Sequence, residues 1–547
     1  MTPWTHDWYR QEDWARSTGQ DFYTTVQMRR YGGDLEGVMA RLDYLQELGV
    51  TAIYLNPIND SPSLHKYDAR SYHHVDRNFG PDPAADRRLV EREEPDEPST
   101  WTWTRADGLF LQLIQEIHRR GMRVVVDVSW NHTGVTFWAW RDVLEKQAAS
   151  RYADWYEIER FDDPDTPANE FRYSGWAGVR ELPELKKVRV PGRQSSADRD
   201  LHPEVKAHIF AVTRRWLDPD GDGDPSDGVD GFRLDVAKRL PVGFWRDYRQ
   251  LVKAVNPDAL LVAELWWEEW PDRLLDPAPW LQGDMFDAVM NYRWYAATRS
   301  FITGDQAGKT PEWYAGELRF LERGVPRAAV EAMMNVAATH DTPRLSTSLQ
   351  NRGRYKYRAS PRENPAYQVQ RPNPESLARQ KLLLIQQFTW TGAPHIWYGD
   401  EVGMWGADDP DCRKPMIWDE LTYEDESALP SRRSRHPDRV APDRELFGFY
   451  QRLVRLRRRF ADLFRRGTTR FLTPVGRTDV LVYRRRLGDL EAVITLNRSE
   501  RASDVAVPVL PGRSYEDVLR GETLTPSRDR SLVVSLRALE GRILLRQ

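Results

Sequence analysis

The chain runs to 547 residues and is 40% apolar, enough for a sizeable core and, at roughly 100–200 residues per domain, for about three units or one large barrel with additions. Its 79 Lys and Arg against 83 Asp and Glu leave a net charge of −4, so nothing points to nucleic acid or to an anionic membrane surface as a partner. A single cysteine, Cys412, excludes an intramolecular disulfide and a cysteine-based zinc site, and no run of about 18 apolar residues is present to span a membrane.

In chain order, residues 1–14 (MTPWTHDWYRQEDW) lack the apolar stretch of a signal peptide. That leans toward a cytoplasmic protein, although a periplasmic or secreted chain trimmed of its leader would read the same. Phe22–Met28 reads as a strand, and Glu36–Leu48 as an amphipathic helix with Val38, Leu42, Leu45 and Leu48 on one face. Thr51–Asn56 is a second strand, Pro81–Thr100 a charged insertion, Leu109–Arg120 a helix and Arg123–Ser129 a buried third strand. From Trp130 to about Asp200 the pattern turns to Asp, Pro, Gly and aromatics, too long for a plain loop and best read as an inserted subdomain.

Helix returns at Pro203–Leu217, followed by a fourth strand at Gly231–Val236, a helix at Phe244–Val255 and a fifth strand at Leu260–Leu265. Phe286–Met290, Glu331–Ala338 and His395–Tyr398 supply strands six, seven and eight. Strands alternating with helices in this way predict the α/β class and a (β/α)8 barrel, the TIM barrel. An open doubly wound sheet is disfavoured because no Gly-rich phosphate turn follows the first strand. Asp408–Asp443 reads as loop and Glu445–Arg459 as helix. Short alternating strands at Arg470–Leu472, Val480–Arg486, Glu491–Asn497, Ala502–Val509, Leu532–Leu536 and Ile543–Leu545 predict a C-terminal all-β sandwich. The expected division is barrel 1–131, inserted domain 132–202, barrel 203–460 and β-sandwich 461–547.

In such a barrel chemistry collects at the C-terminal ends of the strands. There the sequence places Asp127 with Asn131 and His132, then Arg233 with Asp235, then Glu264, then His340 with Asp341. Strand side chains repeat every two residues, so Arg233 shares a face with Asp235 and can keep it ionised. Two carboxyl groups, one as acid and one as nucleophile or base, with a third anion beside them, suit glycoside hydrolysis. A catalytic metal is disfavoured, since no HExxH-like spacing occurs and the arginine would compete with a cation. The 22 Trp and 22 Tyr suit sugar faces as well as core packing.

Four segments, DVSWNH (Asp127–His132), GFRLDVAK (Gly231–Lys238), AELW (Ala263–Trp266) and THDTPR (Thr339–Arg344), resemble in order the four signature regions of the α-amylase family, glycoside hydrolase family 13. LPEL (Leu182–Leu185) resembles its fifth region, and PHIWYGDEVGM (Pro394–Met404) and DPDCRKPMIW (Asp409–Trp418) its eighth-strand segment. The resemblance implies a barrel with domain B inserted after strand three and a C-terminal β domain. It implies Asp235 as nucleophile, Glu264 as general acid/base and Asp341 as the third carboxylate. Tyr67 would be a stacking platform in HKYD (His65–Asp68), Arg233 would orient the nucleophile, and Asp68, Asp127, His132, Lys238 and His340 would complete the substrate-binding set. The chemistry would be retaining, on α-1,4 bonds of maltodextrins, cyclodextrins or starch fragments, with the two carboxyls roughly 5–5.5 Å apart.

HKYD, GDMFDAVMNY (Gly283–Tyr292) and THDT resemble the neopullulanase, cyclomaltodextrinase and maltogenic amylase group most closely. Two departures stand out: too few residues precede Phe22 for that group's N-terminal β-sandwich, and Lys238 and Arg239 replace its Asn-Glu after the nucleophile. The same machinery serves transglycosylases and relatives acting on sucrose or 1,6 linkages. A non-enzymatic sugar-binding relative would have lost a carboxylate that this chain keeps. The expected partner is an α-glucan oligosaccharide, the expected assembly a monomer or homodimer, and no cofactor is required for catalysis. Asp218, Asp220, Asp222 and Asp224 follow the oxygen-ligand spacing of a calcium loop, with Val229 where a twelfth-position Glu would stand, so the segment reads either as a structural calcium site or as an exposed Asp/Gly turn before strand four. Asn131 is a second candidate calcium ligand.

Overall fold

The computed structural model describes residues 3–189, 199–271, 273–304, 308–431, 433–510 and 513–547. Its described residues form two compact units, one built mainly from Gln27–Leu265 and Pro277–Val289, the other from Trp4–Val26, Trp266–Asp276 and Met290–Gln547.

The first unit carries a parallel sheet. Its strands are β1 (Ala52–Leu55), β4 (Arg123–Val128), β5 (Gly231–Leu234), β6 (Leu260–Ala263) and β7 (Ala288–Val289), in that spatial order. A hairpin of β2 (Asn59–Asp60) and β3 (Ser71–Val75) follows β1. The runs VVVDV and LLVA are apolar because both faces are covered, as parallel sheets require. The register aligns Asp127 of β4 with Arg233 of β5, and Arg233 with Val262 of β6. Gly231 opens β5 at φ 155°, and a Cβ there would lie 2.2 Å from the Leu260 carbonyl oxygen, so only glycine lets β5 and β6 approach.

Helices α1 (Leu35–Ala40), α2 (Leu42–Leu48), α3 (Pro83–Val90), α4 (Arg105–Arg119), α5 (Trp138–Lys146), α6 (Pro203–Leu217) and α7 (Val242–Val255) belong to the same unit. α4 starts on a capping box in which Thr104 and Asp107 satisfy each other's backbone N–H groups. The predicted Glu36–Leu48 helix breaks at Arg41 into α1 and α2. The charged insertion contains α3, started by Pro83 behind the Asp82 cap. The inserted region holds α5 and two short hairpins, Ile158–Arg160 with Arg172–Tyr173 and Lys187–Arg189 with Arg199–Leu201. It is stitched back onto the end of β4: Glu184 pairs with His132, and Leu185 N–H donates to the Asn131 carbonyl (2.9 Å).

One predicted strand is not a strand. Phe22–Thr25 is a helical turn continued by a 3₁₀ turn over Val26–Met28. Asp21 accepts from Thr24 N–H (2.8 Å) and Thr24 Oγ1 (2.9 Å), a local cap that outweighs the strand preference of FYTTV.

In the second unit β8 (Met334–Val336) runs parallel to β9 (Ala393–His395), with α8 (Tyr292–Thr303), α9 (Pro374–Thr389) and α10 (Arg444–Arg459) as its long helices. The C-terminal strands are β10 (Thr468–Phe471), β11 (Val480–Leu487), β12 (Leu490–Asn497), β13 (Ser503–Pro508), β14 (Tyr515–Asp517), β15 (Glu522–Leu524), β16 (Ser531–Leu536) and β17 (Gly541–Arg546). Six make an antiparallel sheet, β10-β11-β12-β17-β14-β15, and β13 pairs with β16. Val482, Val493, Val507, Tyr515, Val534 and Leu544 pack one core between the two sheets. β14 and β15, three residues each with polar sequence, escaped the sequence reading.

Candidate active site

Arg233 organises the site in the first unit. It projects from β5 and its side chain is fully buried, so its charge needs partners. Nη1 donates to Asp235 Oδ1 (2.6 Å) and to Asp127 Oδ1 (3.1 Å), and Nη2 lies 3.5 Å from Glu264 Oε2. Asp127 is gripped on its other oxygen by Tyr54 OH (2.5 Å) and Tyr67 OH (2.9 Å). Asp127, Arg233, Asp235 and Glu264 thus lie side by side at the ends of three adjacent strands. Asp127 is fully enclosed, whereas the Asp235 and Glu264 side chains keep 12% and 13% of their surface.

The backbone after Asp235 is strained. Val236 has φ 39° and ψ 42°, a left-handed conformation that β-branched residues avoid. That turn aims Val236 N–H at Glu264 Oε2, 2.8 Å away. One strained residue therefore joins the two carboxylates that the sequence singled out.

His132 is buried, and burial lowers its pKa to about 4 against the pull of Asp235 and Glu184, so the ring is neutral at pH 7. Tyr72 OH donates to its carbonyl. Asp68 accepts from Ser63 Oγ. Lys238 is exposed on the 3₁₀ turn Ala237–Arg239.

Asp341 and His340 follow β8 in the second unit. His340 Nε2 lies 3.0 Å from Asp341 Oδ2, and Arg413 Nη2 donates to Asp341 Oδ1 (3.3 Å). Lys356 donates to the Asp341 carbonyl and, at 2.7 Å, to Asp408 Oδ1. Burial raises the Asp341 pKa, but His340, Arg413 and Lys356 outweigh it and hold the carboxyl well below the usual range. The loop bearing Arg413 is fixed to the same place: Cys412 Sγ and Arg413 Nε both donate to the His340 carbonyl (3.1 and 3.0 Å). Tyr54, Lys356 and Arg413 escaped the sequence reading. Arg413 stood inside DPDCRKPMIW, but no spacing rule ties it to a carboxylate 72 residues earlier.

Two groups of possible metal ligands occur among the described residues. Asp218, Asp220 and Asp222 bring carboxylate oxygens within 4.8 Å of one another. Gly221 and Gly223 N–H groups fold the turn onto Asp218 (3.0 and 3.1 Å). Asp224 is not in that group; it caps the next turn through Ser226 N–H (3.1 Å). Asp227 Oδ1 is buried with no hydrogen-bond partner among the described residues, and burial together with Asp220 and Asp218 raises that residue's pKa. These residues fit a hard cation with oxygen ligands. Asn131 does not: its Oδ1 accepts from Lys187 Nζ (2.9 Å), so an ammonium already fills that place.

The second group is His73, His74 and Glu93. His74 Nδ1 meets Asp107 Oδ2 at 2.7 Å and Nε2 meets Glu93 Oε2 at 2.9 Å. Both ring nitrogens face carboxylates, so both carry protons and no lone pair is left for a metal. Arg215, 3.5 Å from Asp107, completes the charge balance.

Comparison with known proteins shows the family. Residues 11–94 and 106–467 match the α-amylase catalytic domain, and residues 469–543 the maltogenic amylase C-terminal domain. The chain belongs to the α-amylase family, glycoside hydrolase family 13, and is a glycoside hydrolase with that family's (β/α)8 barrel and an all-β C-terminal domain. It is 35% identical to neopullulanase 2 of Thermoactinomyces vulgaris over 94% of this chain and 71% of the relative. It is 33% identical to a cyclomaltodextrinase of Geobacillus thermopakistaniensis over 92% of this chain and 69% of that one. Among solved structures, a cyclomaltodextrinase superposes with a TM-score of 0.70 at 28% identity, covering 94% of this chain and 71% of the other. A cyclic α-maltosyl-(1→6)-maltose hydrolase from Arthrobacter globiformis superposes at 0.65 and 26%, covering 94% and 89%.

Proposed function

We propose that this enzyme hydrolyses α-1,4-glucosidic bonds of maltodextrins, cyclodextrins or starch fragments with retention of anomeric configuration. The observation that carries the reading is the Arg233 cluster, which sets Asp235 and Glu264 on neighbouring strand ends and leaves both partly open. Asp235, paired with a permanent cation, attacks the anomeric carbon. Glu264 protonates the glycosidic oxygen as the C–O bond breaks, and the leaving sugar departs with that proton. Glu264, now a carboxylate, takes a proton from water, whose oxygen displaces Asp235 from the glycosyl ester. Within the first unit neutral His132 holds ring hydroxyls and Tyr67 stacks on the sugar; Asp341 has the role of third carboxylate that the family resemblance implies. Lys238, exposed just after the nucleophile turn, contacts the leaving sugar.

Chromatography of products from maltoheptaose, β-cyclodextrin, pullulan, starch and sucrose tests this. Maltose and glucose from maltoheptaose, with β-cyclodextrin cut faster than starch, is the expected result. Activity on sucrose alone would overturn the α-1,4-glucan assignment.

The Asp218–Asp222 turn binds a structural calcium in this reading, with the unpartnered Asp227 oxygen as the supporting feature. A cation held only by the folded state stabilises by RT ln(1 + [L]/Kd), about 2.7 kcal/mol at one hundred times Kd. Unfolding temperature rises with calcium, falls with chelator, and Asp220→Ala removes the difference. An unchanged unfolding temperature after verified metal removal would leave the segment an Asp/Gly turn.

A further inference from the structure

The first unit contains a cavity of about 800 Å³ that none of Tyr67, Asp127, Arg233, Asp235 or Glu264 lines. Its wall presents six cationic side chains, Arg30, Lys66, Arg70, Arg77, Arg87 and Arg141, against two acids, Asp60 and Glu91. Asp60 is already shared by Arg70 (2.9 Å) and Arg77, and Lys66 is paired with Asp76 outside the wall. Among the described residues Arg30 donates only to the carbonyls of Arg29 (2.9 Å) and Pro62 (2.8 Å). Arg87 and Arg141 form no ion pair among the described residues. Counting Asp76, six cations face three anions, a surplus of three positive charges around one concavity.

Converging guanidinium groups repel one another, and an anion seated among them removes that cost. Their planar forks match pairs of phosphate oxygens, and the volume falls in the range that holds a small metabolite. A neutral glucan would leave the surplus uncompensated.

We propose that this cavity binds the phosphate monoester of a small metabolite, at a site separate from the catalytic one. One link from the wall to the catalytic residues runs through the loop between β2 and β3. Lys66 faces the cavity in a left-handed conformation (φ 63°), and the next residue, Tyr67, donates to Asp127 (2.9 Å). A phosphate that draws Lys66 away from Asp76 acts on the backbone that carries Tyr67. The ligand therefore adjusts turnover.

Calorimetric titration of the full chain tests this, with inorganic phosphate, glucose 6-phosphate and, as neutral control, glucose. Asp235→Asn enzyme is the host, so that no sugar is turned over. Glucose 6-phosphate is expected to bind, more weakly as salt rises, at least about tenfold tighter than inorganic phosphate, and without being displaced by saturating β-cyclodextrin. Arg87 and Arg141 are exposed, so the Arg87→Ala/Arg141→Ala double variant is expected to lose at least about tenfold in glucose 6-phosphate affinity while keeping the wild-type unfolding temperature and, when made with Asp235 intact, the basal kcat. Equal affinities for the two phosphates would overturn the organic ester. No binding, displacement by β-cyclodextrin, or unchanged affinity in the double variant would overturn the site.

Discussion

Two buried clusters of the first unit share a plan and differ in one respect that separates chemistry from structure. Around Arg233, carboxylates from neighbouring strands clasp a guanidinium that is never neutral. Around His74, carboxylates from the charged insertion and from α4 clasp an imidazole that is charged only while it holds a second proton. The first cluster is open, with Asp235 and Glu264 partly exposed. The second is shut: His73, His74, Glu93 and Asp107 show at most 2% of their side chains. Burying charge around a cation does not by itself make a site. What makes one is a carboxylate oxygen left over, facing space in which a substrate fits, beside a cation that pH does not remove.

The largest expected effect breaks the open cluster. Asp235→Asn should lower turnover by roughly 10⁴-fold or more, since an amide cannot form the glycosyl ester. Steady-state rates on maltoheptaose measure it; residual activity within about tenfold of wild type would remove Asp235 as nucleophile. Glu264→Gln comes next, with about 10²–10⁴-fold lost on natural glucans. Activated aryl glycosides need little protonation of the leaving group and should be spared in the glycosylation step. Equal losses on both substrate classes would count against Glu264 as the acid.

A smaller effect is expected in the second unit, where Asp341 depends on groups that approach from a separate loop. Arg413→Ala removes the guanidinium 3.3 Å from Asp341 and a donor to the His340 carbonyl. Misplacing Asp341 should cost roughly 10²-fold or less, chiefly in kcat. Arg413→Lys should recover part of it, and absence of rescue together with a lowered unfolding temperature would make Arg413 a packing residue only.

The contrast also explains what was legible in the sequence. Arg233 and Asp235 lie two apart on one strand, so their pairing follows from the period of a β-strand. The Asp235, Glu264 and Asp341 set could be read because each ends a strand. The Arg413 contact bridges 72 residues through a loop with no periodicity, and the grip of Tyr54 on Asp127 depends on which strands are neighbours. The His74 cluster was hidden for the same reason: Glu93 sat in a segment read only as a charged insertion. Phe22–Met28 was misread because intrinsic strand preference is weak against a single well-placed cap.

The smallest effect should leave catalysis alone and expose the difference between the two cations. Burial alone would lower the His74 pKa, but hydrogen bonds to Asp107 and Glu93 outweigh it and push it up to about 9. The folded value lies above the unfolded value of about 6.5. The stabilisation is therefore complete below about pH 6.5 and is lost as pH rises through about 9. Past that point Glu93 and Asp107 lose the imidazolium between them, and Arg215, 3.5 Å from Asp107, remains as a cation. His74→Gln keeps a polar side chain but no charge, and should cost on the order of 3 kcal/mol at pH 7, the scale of a broken buried pair. Denaturant unfolding from pH 6 to pH 10 should show the wild type converging on the variant above about pH 9, with maltoheptaose turnover at pH 7 within about twofold throughout. Parallel stability curves for the two proteins would mean that His74 is neutral in the folded state. Its two carboxylate contacts would then have to be satisfied some other way, and the case for a metal at His73, His74 and Glu93 would reopen. The Arg233 cluster should show no such transition anywhere in this window, because its cation does not titrate there.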